Sequence, residues 1–148
     1  MRVLLVGPAN SGKMALANFF EATTEPLRKV ASIVYYKKTI IVPDSYLESP
    51  WMHKHIISLQ QSADCGLFLQ PIEAQRNSYP PNFANVFRIP LYGVLTHQKK
   101  YTHKEWQQAA QKLHVCGLEH IALTIDRNQE EFNQIEKLLG RGRKNELF

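Results

Sequence analysis

Four short runs, VLLV at residues 3–6, CGLFL at 65–69, LYGVL at 91–95 and IALTI at 121–125, are apolar almost throughout, and stretches of helical spacing lie between them. A strand that is apolar at every position is buried on both faces. Such strands alternating with helices predict a parallel sheet covered on both sides. Between the first two runs, ASIVYY at 31–36 and KTIIVP at 38–43 are β-branched segments separated by Lys37, which predicts an antiparallel hairpin inserted at one edge. The expected fold class is therefore α/β: a mostly parallel six-stranded sheet with one antiparallel edge strand and helices on both faces. The 148 residues, 44% of them hydrophobic, suit one core and are too few for two ordinary domains. The expectation is a single domain over 1–140 and a basic tail, RGRKNELF, at 141–148.

Helix boundaries can be read from capping chemistry. The first helix should begin near Gly12 and bury Leu16 with Phe19 or Phe20. Ser49 followed by Pro50 reads as a cap with proline at the first helical position, announcing a second helix that carries Trp51, Ile56 and Leu59. The proline pair in PIEAQRNSYPPNFANVF, residues 71–87, predicts that any helix there is short or broken. Thr102 with Glu105, and Asn128 with Glu131, have the spacing of capping boxes, and Gly117 and Gly140 are the expected stops of those two helices.

Between the first buried strand and the first helix lies GPANSGKM, residues 7–14. Gly7, Gly12 and Lys13 have the spacing of a phosphate-binding loop, and the strand-to-helix context gives that spacing its meaning. The amides of residues 9–13 would form a concave nest at a positively polarised helix start, with Lys13 reaching toward terminal phosphates. The candidate ligand-binding residues are Ala9, Asn10, Ser11, Gly12, Lys13 and Met14. Met14 stands where a hydroxyl normally binds Mg²⁺, and a thioether is a soft, apolar substitute. Two outcomes follow: a loop that holds nucleotide or phosphate with little metal assistance, or a packed methionine in a loop that holds nothing.

With this loop, YLES at 46–49, IPLYGVLTH at 89–97 and the closing strand-helix unit, the chain resembles the EutP/PduV family over nearly its whole length. These are small Ras-like P-loop proteins encoded with ethanolamine or propanediol utilisation systems. The resemblance implies a Ras-like P-loop domain and four further sequence boxes. The metal-binding threonine falls near Val30, which has no hydroxyl. The D-T-P-G box falls on Ile41, Val42, Pro43 and Asp44, leaving only the proline, although Asp44 is near enough to reach the metal region. The T-K-x-D base-recognition box falls on Thr96, His97, Gln98 and Lys99, and Lys99 reverses the sign of the guanine acceptor. The final Ser-Ala pair falls on Ile125 and Asp126. Metal and guanine recognition thus lose their side chains while the phosphate cradle keeps all but one. His97 is open to two readings, a ring stacked on a purine or an exposed loop histidine.

The formal charge of +5 comes from scattered lysines and arginines, without the interleaved aromatics of a nucleic-acid platform, so no nucleic-acid partner is expected. The longest apolar stretches run to about six residues against the roughly 20 of a membrane span. The opening MRVLLVGPAN lacks the long apolar region and cleavage site of a signal peptide, giving the expectation of a cytoplasmic protein. Cys65 and Cys116 read as reduced, packed thiols. His53 and His55 lack further ligands at metal spacing; no metal site and no catalytic residue are assigned.

Three functions remain in view. The first is a degenerate nucleotide-binding protein, inefficient as a GTPase, with a structural or regulatory role among protein partners of the ethanolamine or propanediol system or its microcompartment. The second is an active ATP-dependent phosphotransferase or NTPase. The third is an interaction module with an empty nucleotide site, using YYKK, Trp51 or SYPPNF as its surface.

Overall fold

Burial on both faces decides which apolar runs become strands. In the computed structural model, which describes residues 2–22, 27, 31–123 and 129–146, β1 (Val3–Val6) and β4 (Cys65–Pro71) are buried at every position. So is β3 (Thr39–Ile41), while β5 (Leu91–Thr96) is half-buried only at its ends. With β2 (Val34–Tyr35) and β6 (Ile121–Leu123) they form one sheet of order β2-β3-β1-β4-β5-β6. β2 is antiparallel to β3, and the pairs β1–β3, β1–β4, β4–β5 and β5–β6 are parallel, as the sequence pattern predicts. β2 is shorter than the expected 31–36. Tyr36 N already donates to Thr39 O at 2.8 Å, closing the turn, and the edge strand has a single three-residue neighbour to pair with.

Strand alternation splits the core into two layers. Leu4 and Val6 of β1 pack with Ile40, Phe68, Ile56 and Leu113 on one face. Val3 and Leu5 pack with Leu67, Leu69, Leu16 and Ile135 on the other. Helix α1 (Lys13–Glu21) buries Leu16, Ala17 and Phe20, and α5 (Gln129–Glu146) lies against it through Phe132, Ile135 and Leu139. The opposite face is covered by α4 (His103–Cys116), which begins with a complete capping box. Glu105 N donates to Thr102 Oγ1 at 3.2 Å and Thr102 N to Glu105 Oε1 at 3.3 Å. Gly117 ends α4 at φ 106°, a left-handed position that suits glycine.

Three expectations change. The second helix does not start at Ser49. The chain turns directly after β3 into α2 (Asp44–Glu48), then a 3₁₀ turn at Pro50–Met52, α3 (His53–Ser58) and a second 3₁₀ turn at Leu59–Ser62. Starting at once lets Leu47 as well as Ile56 enter the core, and leaves Trp51 73% exposed on a turn that buries nothing. Gly140 does not stop α5, which continues to Glu146. An interior glycine costs only about 1 kcal/mol, and three buried apolar residues earlier in the helix hold it down. The aromatics of SYPPNF are not at the surface: Tyr79 and Phe83 are core residues, with the Tyr79 ring stacked on Phe68 at 5.1 Å. The break expected in this region is present, and Phe83–Val86 forms only a 3₁₀ turn. The Asn128 cap lies outside the described residues. Cys65 and Cys116 are buried and unbridged, and burial pushes the Cys116 thiol up to about 11.

Candidate functional site

The site forms where β1 ends and α1 begins. Gly7 is required by packing: a Cβ there would lie 2.6 Å from Ser11 Oγ and 3.0 Å from Leu69 Cβ. Asn10 at φ 61° and Gly12 at φ 85° are left-handed, turning the chain over itself into the start of α1. Alternating backbone hand of this kind aims successive amides inward, and a helix start adds positive polarisation. The first turn of α1 brings no acidic residue and Gly12 offers no side-chain cap, so an anion is the complementary partner for this end.

A cavity of about 190 Å³ lies here, with residues 10–15 on one wall and Ser32, Val34 and residues 41–44 on the other. Ala9, expected as part of the cradle, lines the adjoining cleft instead. Lys13 is 5% exposed, and its ammonium is held inside the protein. Nζ donates to Gly7 O at 3.0 Å, to Val42 O at 2.6 Å and to Asp44 Oδ1 at 2.6 Å. The Asp44 side chain is only 13% exposed, so the pair is largely desolvated and charge-assisted. Ser11 Oγ is buried without a hydrogen-bond partner among the described residues.

Met14 is half-buried against the α1 side of the core and also lines the cavity. Ile41, where the resemblance would place a magnesium-shell aspartate, is buried in the same layer. These residues do not fit magnesium: a thioether and an alkyl group supply no hard oxygen, and the lining carboxylate of Asp44 is bonded to Lys13. Among the described residues no group of three potential metal ligands occurs. His53 Nε2 lies 2.7 Å from Leu47 O and its ring packs on Phe83, which accounts for it structurally.

On the other side of β1, the loop after β5 is closed on itself. Glu73 Oε1 accepts from Gln98 N at 2.7 Å and Lys99 N at 3.2 Å. Burial alone would raise the Glu73 carboxyl, but these two amides, the residue's own amide and the nearby His97 together outweigh it and hold the group below its ordinary value. His97 is not an exposed histidine: Nδ1 lies 2.9 Å from Lys99 O and the ring meets Tyr101 edge-on at 4.6 Å. A cleft of about 340 Å³ runs beside this loop, lined by Glu73, Gln98 and Lys99 and sharing Asn10 with the first cavity. Val30, Ile125 and Asp126 lie outside the described residues.

Two organising residues escaped the sequence reading. Glu73 follows β4 closely, and a carboxylate just past the carboxyl end of a buried strand was the available signal. Tyr79 Oη donates to Val6 O at 3.1 Å or Leu69 O at 2.7 Å, tying the ends of β1 and β4 beneath the loop. It sits in an irregular segment with no periodicity to betray it.

The model of the family described as ethanolamine utilisation - propanediol utilisation, PduV-EutP, matches residues 1–141. The propanediol utilization protein PduV of Citrobacter freundii is 25% identical over 95 residues, 64% of this chain and 63% of that protein. The aligned part is thus less than two thirds of the relative's length. Among solved structures, a probable GTP-binding protein engB superposes with a TM-score of 0.63 at 12% identity, covering 95% of this chain and 97% of that one. The elongation factor SelB of Methanococcus maripaludis, in complex with the GTP analogue GppNHp, gives 0.62 at 14% identity, covering 98% of this chain and 34% of that one. At such identities the likeness establishes the fold, that of the Ras-like P-loop GTPase domains.

Proposed function

This chain belongs to the PduV-EutP family of ethanolamine and propanediol utilisation, and on that premise we propose that it is a phosphate-loop nucleotide-binding protein with a structural or regulatory role, not an efficient GTPase. In this reading Asn10, Ser11, Gly12, Lys13 and Met14 form the cradle, through backbone amides and the Lys13 ammonium, with Ala9 beside it on the adjoining cleft. The observation that carries the reading is the lysine: a buried cation at a helix start, already bonded to a carboxylate in the loop cavity. A pocket that satisfies a carboxylate there is matched to phosphate by the same donors. Met14 and Ile41 supply no hard oxygen at the two positions where the resemblance places magnesium contacts, and Lys99 gives no acceptor for guanine. Base preference is accordingly relaxed, with ATP among the nucleotides accepted. Protein partners come from the utilisation system or its microcompartment, in the cytoplasm.

A second reading, an interaction module with an empty loop, draws on the self-satisfied lysine and on the exposed Trp51 and Tyr35, 73% and 54% accessible. One experiment separates the two. Thermal unfolding with ATP, ADP, GTP or GDP, each with and without Mg²⁺, is combined with amide spectra of residues 9–13. Ligand at about 100 times its dissociation constant raises stability by about 2.7 kcal/mol. The nucleotide reading expects a rise of that order, nearly independent of magnesium, with the 9–13 amides shifted. A flat response to every nucleotide with unmoved amides rejects it in favour of the interaction module. A magnesium-dependent rise accompanied by turnover rejects it in favour of an active enzyme.

A further inference from the structure

Asp44 is an anion built into the phosphate site. It begins α2, one residue past the proline that follows Val42, and its Oδ1 lies 2.6 Å from Lys13 Nζ. The same ammonium also donates to the carbonyls of Gly7 and Val42, so protein acceptors already engage it. In a phosphate loop the backbone amides cradle the inner phosphates, while the lysine reaches the outer ones. The two halves of the cradle are therefore in different states here. The amide half brings no carboxylate of its own, whereas the lysine half is already neutralised by Asp44.

Resting on the nucleotide reading above, we propose that Asp44 takes the place of a terminal phosphate on Lys13, so that the loop binds a diphosphate group in preference to a triphosphate, and ATP only weakly. A diphosphate seated on the amides leaves the Lys13–Asp44 pair intact. A third phosphate must either displace the carboxylate from a desolvated ion pair or share its space, and like charges a few ångströms apart in a partly buried site repel strongly. Lys13 and Asp44 both line the cavity of about 190 Å³ beside the loop. Ser11 Oγ, buried without a partner among the described residues and lining the same cavity, supplies one further polar group on the amide side.

The test titrates the full chain with pyrophosphate and tripolyphosphate in EDTA, so that base and metal are removed from the comparison. Calorimetry is run on the wild type, Asp44→Asn and Asp44→Glu. The wild type should bind pyrophosphate at least about tenfold more tightly than tripolyphosphate. Asp44→Asn, which keeps an acceptor near Lys13 but no charge, should cut that ratio to about threefold or less by strengthening tripolyphosphate. Asp44→Glu should keep the preference. Equal binding of both anions by the wild type, or an Asn variant with an unchanged ratio, overturns the proposal while leaving a phosphate site in place. Absence of binding to all three proteins, with unmoved amides at 9–13, overturns the nucleotide reading as well. A measurement on the wild type alone covers the case of a poorly folded variant. As pyrophosphate saturates the loop amides, the Asp44 carboxyl carbon resonance should hold its position, and movement to that of a released carboxylate overturns the proposal.

Discussion

Asp44 and Glu73 follow β3 and β4, the two strands that flank β1, and each carboxylate accepts donors from a neighbouring loop at the same end of the sheet. They differ in depth. Asp44 meets a buried ammonium inside a cavity, whereas Glu73, on the surface, meets two exposed backbone amides. The phosphate end is thus held by a desolvated charge pair that is part of the core, and the base end by a solvated loop clamp. The chemistry is alike, but the energetic consequence is not, because water screens one interaction and is excluded from the other.

The comparison breaks first at its strong end. Lys13→Met keeps the aliphatic stem but takes the ammonium away from the largely buried Asp44 carboxylate and from two carbonyls, and should cost about 3–5 kcal/mol in chemical denaturation. A loss below about 1 kcal/mol would show that the pair behaves like a surface one. Tyr79→Phe tests the tie beneath both ends. It removes the hydroxyl from the Val6 and Leu69 carbonyls while keeping the ring on Phe68, and should cost about 1–3 kcal/mol, with faster hydrogen exchange at the ends of β1 and β4.

Glu73→Gln should be the mildest change, below about 1 kcal/mol, with its effect confined to exchange at the Gln98 and Lys99 amides. The pH dependence sharpens the same point. The Glu73 carboxyl is held below its ordinary value, so its contribution is complete above the usual glutamate range near ~4.3 and is lost as pH falls through the lowered value. Exchange at those two amides should accelerate over that acidic interval in the wild type and show no such step in Glu73→Gln.

What sequence conveys about such a molecule depends on the range of the interaction. The mostly parallel sheet follows from runs buried on both faces, and the capping box of α4 from two residues three apart. The loop itself is local too, so Gly7, Gly12 and Lys13 mark it. The partner of Lys13 is not local. Asp44 is 31 residues away, next to a proline where a turn aspartate is unremarkable, and only the β1–β3 pairing brings it to the loop. Tyr79 and Glu73 share that limit, since their partners are chosen by tertiary packing rather than by spacing. The misplaced start of the second helix has a local cause: Ser49-Pro50 looks like a cap, but burying Leu47 draws the chain into helix at Asp44, six residues before Pro50.

The position of β1 also sets a timetable. It lies inside the sheet, and both neighbours come later in the chain: Val3 pairs with Thr39 on one side and with Cys65 on the other. During synthesis at roughly 5–20 residues per second, the second neighbour emerges a few seconds after β1. Until then VLLV can pair on one side only, with β3, and the loop that follows it lacks its β4 neighbour. Parallel pairing at this separation forms slowly because long loops must close first. The part of the molecule most recognisable in its sequence therefore depends on chain made well after it, and a nascent chain released before β4 would present an apolar strand open on at least one edge.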